Sequence, residues 1–297
     1  MLFSVVVPTY NRLPVLKSCL SALKDQDFPL ADFEVIVVDD GSTDGTIDYL
    51  NTLSWDRPTL LSFTQSRKGP AVARNLGVTR SSGRWVAFTD DDCLVSHNWL
   101  TALYDGYKMF PEAGGIGGYL EAPEAVLKKS LIARLEFFET HSIYKAGQSP
   151  YLGGFESPAG GTNNMSYRKE VLLKVGLFDE NFPVPAGEDA DLKLRVVEKG
   201  HKIGYIPLKV THLDPYSVSS FLRRSIAHGI GSVFFEAKRG RKIGAKEVCL
   251  NFFLTPLVLL KAWRSSGSIS LATLMAVKDL LMNLGRIKYL RRAPRGG

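Results

Sequence analysis

The sequence predicts an α/β protein with a mostly parallel central sheet flanked by helices, followed by a helical, basic C-terminal region. Three observations carry this. Short apolar runs alternate with helical patterns through the first ~110 residues. Acidic clusters directly follow the second and fourth of those runs. Positive charge gathers in residues 220–297.

Leu2–Val7 is a short apolar run and reads as a buried strand. Leu13, Leu16, Leu20 and Leu23 then recur at helical spacing. Phe33–Val38 is a second strand, ending in Asp39-Asp40-Gly41-Ser42-Thr43-Asp44-Gly45. Thr46–Leu53 reads as helix and Thr59–Phe63 as strand. Pro70–Val78 is a helix that opens after Gly69, with Pro at a first helical position. Arg84–Phe88 is a fourth strand, running into Thr89-Asp90-Asp91-Asp92. In such sheets ligands bind at the carboxyl ends of the strands, so both acidic groups are expected to meet on that edge.

Gly114–Phe178 is richer in Gly and aromatics. It contains a predicted helix over Ala125–Tyr144 and two glycine pairs, Gly153-Gly154 and Gly160-Gly161, that mark mobile or closely approached backbone. Gly187–Arg195 opens a helix with acids in its first turn, which suits the helix dipole. Ile203–Val210 is another apolar run, and His212 follows it.

With 297 residues, 45% hydrophobic and 23% charged, the chain has a globular composition and can bury a full core. Disordered, collagen-like and low-complexity classes are excluded. Cys19, Cys93 and Cys249 lie far apart, which excludes a disulfide framework or cysteine-rich zinc module and favours a reducing compartment. MLFSVVVPTY lacks a positive segment before its apolar run and reads as a strand rather than a signal peptide.

A P-loop and a dinucleotide fingerprint are both absent: there is no GxxxxGK[ST], and Pro8-Thr9-Tyr10-Asn11-Arg12 follows the first strand instead of GxGxxG. Asp90-Asp91-Asp92 is the strongest local signal. Three adjacent carboxylates repel one another unless a cation neutralises them, and hard oxygen ligands suit Mg2+ or Mn2+ bridging to a phosphate. A solvated acidic turn is the plainer alternative. Asp39-Asp40 can accept hydrogen bonds from a ribose or a base N–H, or can cap the turn that follows. Glu188-Asp189 offers a general base, or only a helix N-terminal charge. His212, at a strand end, gains meaning as a metal ligand only beside the Asp triplet.

Together these residues carry a resemblance. Ser4–Arg12, Val35–Gly45, Ala73-Arg74-Asn75-x-Gly77, Phe88–Asp92, Gly176-x-Phe178-Asp179-Glu180 and Gly187–Arg195 come in the order seen in family 2 glycosyltransferases. The chain resembles that family over residues 1 to about 215, and the resemblance implies the GT-A fold. It also implies an inverting transfer of a sugar from a nucleotide-diphosphate donor, a UDP-sugar first among them, with Mn2+ or Mg2+ as cofactor. Asp90-Asp91-Asp92 matches the family's DxD motif. The resemblance then implies Asp92 as direct metal ligand, Asp90 near the ribose and metal waters, and His212 as a further ligand. It places Pro8, Thr9, Tyr10, Asp39, Asp40, Lys68, Arg74, Asp90 and Asp91 around the donor, with Asp40 reading the base and Arg74 and Lys68 facing the diphosphate. Asp189 corresponds to the base, and Gly160, Gly161 and Glu188 fall on the acceptor side. The QxxRW motif of processive members is missing: the comparable stretch is Phe221-Leu222-Arg223-Arg224-Ser225, which implies single-sugar transfer.

Residues 220–297 hold 15 of the 37 Lys+Arg and three of the 30 acids, a net +12, which leaves residues 1–219 at −5. Val248–Leu260 and Ile269–Leu290 are apolar stretches flanked by Lys and Arg. Neither is long and clean enough to span a bilayer. They read as interfacial amphipathic helices, with Phe252, Phe253, Leu257 and Trp263 inserting. The same pattern would also arise from packing on the rest of the chain. The expected division is a catalytic domain over 1–215, with nucleotide-binding (1–112) and acceptor-binding (113–215) halves, and a helical region over 216–297. The expected location is cytoplasmic, peripheral on the inner face of a membrane. Nucleic acid is not an expected partner; a glycan, lipid-linked or small-molecule acceptor is. A non-catalytic sugar-nucleotide or glycan-binding protein on a decayed scaffold is the competing reading; a nucleotidyltransferase would need a Gly-rich loop that Thr9–Pro14 does not supply.

Overall fold

A computed structural model of the chain describes residues 1–145, 147–213 and 215–292. It divides into two compact units. One comprises Met1–Pro123, Thr140–Glu180 and Asp189–Asp214; the other comprises Glu124–Glu139, Asn181–Glu188 and Pro215–Gly297.

The first unit begins β1 (Phe3–Thr9), α1 (Leu13–Lys24), β2 (Phe33–Asp39), α2 (Thr46–Thr52), β3 (Thr59–Thr64), α3 (Pro70–Arg80) and β4 (Trp85–Phe88). It continues with β5 (Cys93–Val95), α4 (Trp99–Met109) and β6 (Ala113–Glu121). Two helices of the second unit, α5 (Glu124–Lys129) and α6 (Leu131–Phe138), come next in the chain. The expected single helix over Ala125–Tyr144 is thus broken: Ser130 caps α6 by accepting from the Ala133 amide, and Glu139–Ile143 closes as a π-helical turn. The first unit then resumes with β7 (Tyr151–Gly153), β8 (Met165–Arg168), α7 (Lys169–Val175), α8 (Glu188–Glu198, from Asp189 on) and β9 (Lys202–His212).

The nine strands of the described residues form one sheet, ordered β3-β2-β1-β4-β8-β6-β9-β5, with β7 on β9. The pairs β3-β2, β2-β1 and β1-β4 are parallel, as the strand–helix alternation implies. Beyond β4 the sheet is mixed: β8 is antiparallel to β4 and β6, and β9 is parallel to β6 but antiparallel to β5 and β7. β1, β2 and β4 are buried along their whole length, because helices cover both faces of a parallel sheet. Alternation sorts their side chains. Phe3, Val5, Val7, Val35, Val37, Trp85 and Ala87 join one core with α1 and α4. Val6, Ile36, Val38, Val86 and Phe88 join the other with α3, α7 and α8. Gly77 is the price of that second contact: a Cβ there would lie 2.3 Å from Val6 Cγ1, so α3 reaches β1 only with glycine at this point.

The second unit adds α9 (Val218–Lys238), α10 (Ala245–Phe253), α11 (Thr255–Ser266) and α12 (Ile269–Arg292). Val248–Leu260 is therefore two helices, parted at Leu254 just before Pro256. α12 lies against α9 at very close range: a Cβ on Gly229 would sit 2.0 Å from Met282 O, and one on Gly285 2.2 Å from Ile226 O. Among the described residues no helix is long and apolar enough to cross a membrane.

Candidate active site

The carboxyl edge of the parallel strands is knitted by its own loops. Asn11 takes a left-handed conformation (φ 52°), donates its amide to Ser42 Oγ (2.8 Å) and accepts from the Thr43 amide (2.7 Å). This joins the Pro8–Arg12 stretch to the turn after β2. Pro8 and Thr9 are buried in β1, and Tyr10 lies under the Arg67 guanidinium, 4.4 Å from its ring centroid. Arg67 was not among the expected donor residues; only the fold brings it over Tyr10.

The two acids after β2 have different surroundings. Asp39 is fully buried and accepts from the Gly41 and Ser42 amides, so it caps the turn. Asp40 accepts from the Lys68 amide (2.7 Å), the Gly69 amide (2.8 Å) and Gln65 Nε2 (2.8 Å). It thereby fixes the loop that opens α3, while Lys68 itself is exposed.

The triplet after β4 separates into three environments. Asp90 pairs with Arg74, whose Nη2 is 2.8 Å from Asp90 Oδ1 and whose side chain is almost buried. Asp91 points into the fold, accepting from Thr9 Oγ1 (2.7 Å) and Arg12 Nη1 (3.2 Å). Burial raises its pKa to about 6 against the pull of Arg12 and Thr9. Asp92 meets Arg12 Nη1 at 2.5 Å and His212 Nε2 at 3.5 Å. Burial alone would raise its pKa, but His212 and Arg12 outweigh it and hold it at about 2.

His212 reaches Asp92 because β5 and β9 run antiparallel, with Cys93 opposite His212 and the Leu213 amide bonded to Asp92 O (2.7 Å). Asp92, Cys93 and His212 form a group whose potential ligand atoms lie within 4.8 Å of one another. The Cys93 thiol is a weak member, since burial pushes its pKa well up and keeps it protonated. The ionised carboxylate suits Mn2+ or Mg2+, and an imidazole beside it suits a transition metal such as Mn2+ better than Mg2+. Asp90, the other expected ligand, lies outside this group and on Arg74. Arg12 has no role that its place after β1 reveals, and its bridge to Asp91 and Asp92 depends on the fold.

The remaining site candidates lie in the loop between β7 and β8 and at the start of α8. Thr89 donates to Asn163 O (3.2 Å), which ties the acid triplet to the loop carrying Gly160 and Gly161. Asp189 is partly exposed in the first turn of α8, and its carboxylate accepts from the Ala190 amide. Glu188, the first residue of α8, is buried. One turn beyond Asp189, the buried Lys193 donates to Ser157 O (2.6 Å) and faces the Phe155 ring at 5.2 Å. Asn75 joins two more of the sequence motifs, donating to Phe178 O and Glu180 Oε1 and accepting from the Phe178 amide. The Phe221–Ser225 stretch lies on α9, where Arg224 Nη2 binds Glu136 Oε1 at 2.6 Å.

Comparison with known proteins shows what the chain is similar to. A glycosyltransferase of Haloferax volcanii, AglE, is 38% identical over 99 residues, 33% of this chain and 32% of that protein. A validoxylamine A glucosyltransferase of Streptomyces hygroscopicus subsp. jinggangensis is 30% identical over 261 residues, 80% of this chain and 60% of that protein. The chain therefore spans less than two thirds of the length of these relatives. Among solved structures, the mannosyltransferase PcManGT from Pyrobaculum calidifontis, in complex with GDP-Man and Mn2+, superposes with a TM-score of 0.67. That likeness has 20% identity and covers 97% of this chain and 86% of that one; it shows a shared fold, the GT-A type. The model of the family described as glycosyl transferase family 2 matches residues 4–172, more than half of the chain, and the protein belongs to that family of glycosyltransferases.

Proposed function

We propose that the protein is a metal-dependent, inverting, non-processive glycosyltransferase. In this reading it moves one sugar from a nucleotide-diphosphate donor, a UDP-sugar first, to a hydroxyl of a glycan, lipid-linked or small-molecule acceptor. The observation that carries the proposal is Asp92, held ionised beside His212 at the strand edge where such folds bind ligands. Asp92 and His212 would hold Mn2+ or Mg2+, which supplies Lewis-acid neutralisation of the leaving diphosphate. Arg74, oriented by Asp90, adds a fixed positive charge on the same side. Tyr10, under Arg67, offers a flat face to the base, and Asp40 an acceptor for its N–H. Asp189 takes the proton of the acceptor hydroxyl as that oxygen attacks the anomeric carbon from the face opposite the leaving group. One base and no covalent sugar–enzyme step give inversion. The absence of Trp after Arg223-Arg224, and the use of Arg224 on Glu136, support single transfer over processive synthesis. The same reading puts the protein in the cytoplasm, peripheral on the inner face of a membrane.

A panel of UDP-, dTDP- and GDP-sugars, with Mn2+, Mg2+ or EDTA, tests the chemistry. The expected result is nucleotide release with one donor class, dependent on metal, and a product of inverted configuration. Full turnover in EDTA, or retention at the anomeric carbon, would overturn it. Donor binding without turnover for every donor and acceptor would favour the non-catalytic reading.

A further inference from the structure

The hairpin of α11 and α12 turns at Gly267 and is built inside out for a helix pair in water. The apolar side chains it buries are small, Ala262 on α11 and Ala272 and Ala276 on α12, with Asn283 of α12 buried beside them. The side chains it turns outward are large: Leu257, Leu260 and Trp263 are 61, 39 and 50% exposed. At ~100° per residue these three share one side of α11 with Lys261 and Arg264, opposite Ala262. Leu250 and Leu254, both exposed, lead into the stripe from α10. Phe252 is half-buried and stands apart from it, and the side chain of Phe253 is outside the described residues.

Scattered exposed leucines need no explanation, but a continuous apolar stripe on one helix face does. Its charge identifies the partner. Between Lys238 and Arg264 the chain carries seven bases and one acid, Glu247, and Arg241 already binds that acid at 3.1 Å. Two copies of this face would bring Lys261 and Arg264 against their own counterparts, which opposes self-association. Apolar side chains interleaved with Lys261 and Arg264 match the interface of an anionic bilayer. We infer that the outward face of α11 docks on anionic lipid, with Leu257, Leu260 and Trp263 entering the acyl boundary and Lys261 and Arg264 on the headgroups. The inference rests on the proposed peripheral location and names the surface that would produce it; it does not depend on the proposed chemistry.

Flotation of the 297-residue chain with phosphatidylglycerol-containing and pure phosphatidylcholine vesicles, at low and high salt, tests it. Two variants are compared: Leu257→Gln/Leu260→Gln/Trp263→Gln and Lys261→Glu/Arg264→Glu. All five residues are exposed, so both variants should keep the wild-type circular dichroism and nucleotide binding. Wild type is expected to float with the anionic vesicles only. The apolar variant is expected to lose at least about tenfold in partitioning at either salt. The charge variant should lose a similar factor at low salt only, where the Debye length is long. If wild type does not float with anionic vesicles at low salt, the peripheral location falls and this inference with it. If wild type floats and the apolar variant floats equally, the location stands and the α11 face is wrong. If light scattering shows a wild-type dimer that the apolar variant dissolves, without flotation, the face is a self-interface and the inference is overturned.

Discussion

Replacing Lys193 by Met should change how stability depends on pH, and by an amount the structure sets. Lys193 is 8% exposed, with the Phe155 ring beside it and its ammonium donating to Ser157 O. Burial lowers its pKa from 10.5 to about 8, against the opposing pull of Asp189 and Glu156. Below pH 8 both the folded and the unfolded chain hold the proton, and the folded state carries the full cost of a buried charge. Between about 8 and 10.5 the folded state has released the proton while the unfolded state keeps it, so stability rises with pH. At ~1.36 kcal/mol per pH unit, that window is worth about 3 kcal/mol. Met has a similar shape and does not titrate. It also loses the hydrogen bond to Ser157 O, about 1.5–3 kcal/mol for a charged donor. At pH 7 the two effects nearly offset, and Lys193→Met should lie within about 1–2 kcal/mol of wild type. By pH 10 wild type should have gained most of the ~3 kcal/mol relative to the variant. Denaturant unfolding of both proteins at pH 7, 8, 9 and 10 measures this, and the difference between them cancels the other titrating groups. A wild-type-minus-variant difference that stays flat over this range would refute the argument.

Asp92→Asn should abolish Mn2+-dependent nucleotide binding measured by calorimetry, because the His212 side of the site loses its only ionised oxygen ligand among the described residues; unchanged affinity would remove Asp92 from the metal site. Asp189→Asn should leave donor binding intact and cut turnover by ~10²-fold or more, the scale of a lost general base, and near-normal turnover would move the base elsewhere. Gly77→Ala should cost about 1–3 kcal/mol in urea unfolding, because its methyl would be driven into Val6 on β1; a variant as stable as wild type would mean that α3 can back away from the sheet.

The parallel half of the fold was legible in the residues alone. Apolar runs at Leu2–Val7, Phe33–Val38 and Arg84–Phe88 needed no tertiary information, because strands buried on both faces are apolar throughout. The candidate acids were legible for the same reason: strand ends are marked by the point where the apolar run stops, and Asp39-Asp40 and Asp90–Asp92 stand there. Of the mixed half, only β9 was legible, as the Ile203–Val210 run that ends near His212. β7 and β5 are three-residue strands, too short for a period-two pattern, and the Ala125–Tyr144 apolar pattern continued through the break at Ser130.

What the sequence by itself determined is therefore the list of charged groups and the strand ends that hold them. Only the tertiary structure decided which group meets which. Asp90, Asp91 and Asp92 are identical in composition and adjacent in the chain, yet one pairs with Arg74, one turns inward to Thr9, and one meets His212. That division comes from the turn between β4 and β5, closed by the Cys93 amide on Asp90 O, and from the antiparallel register that sets His212 opposite Cys93, 119 residues away in the chain. In the same way Val248–Leu260 reads as one amphipathic stretch in the sequence, and only the structure divides it and shows that α11 buries its Ala262 side. A residue's type limits the chemistry it can do, while its partners, its burial and hence its charge state belong to contacts between segments distant in sequence.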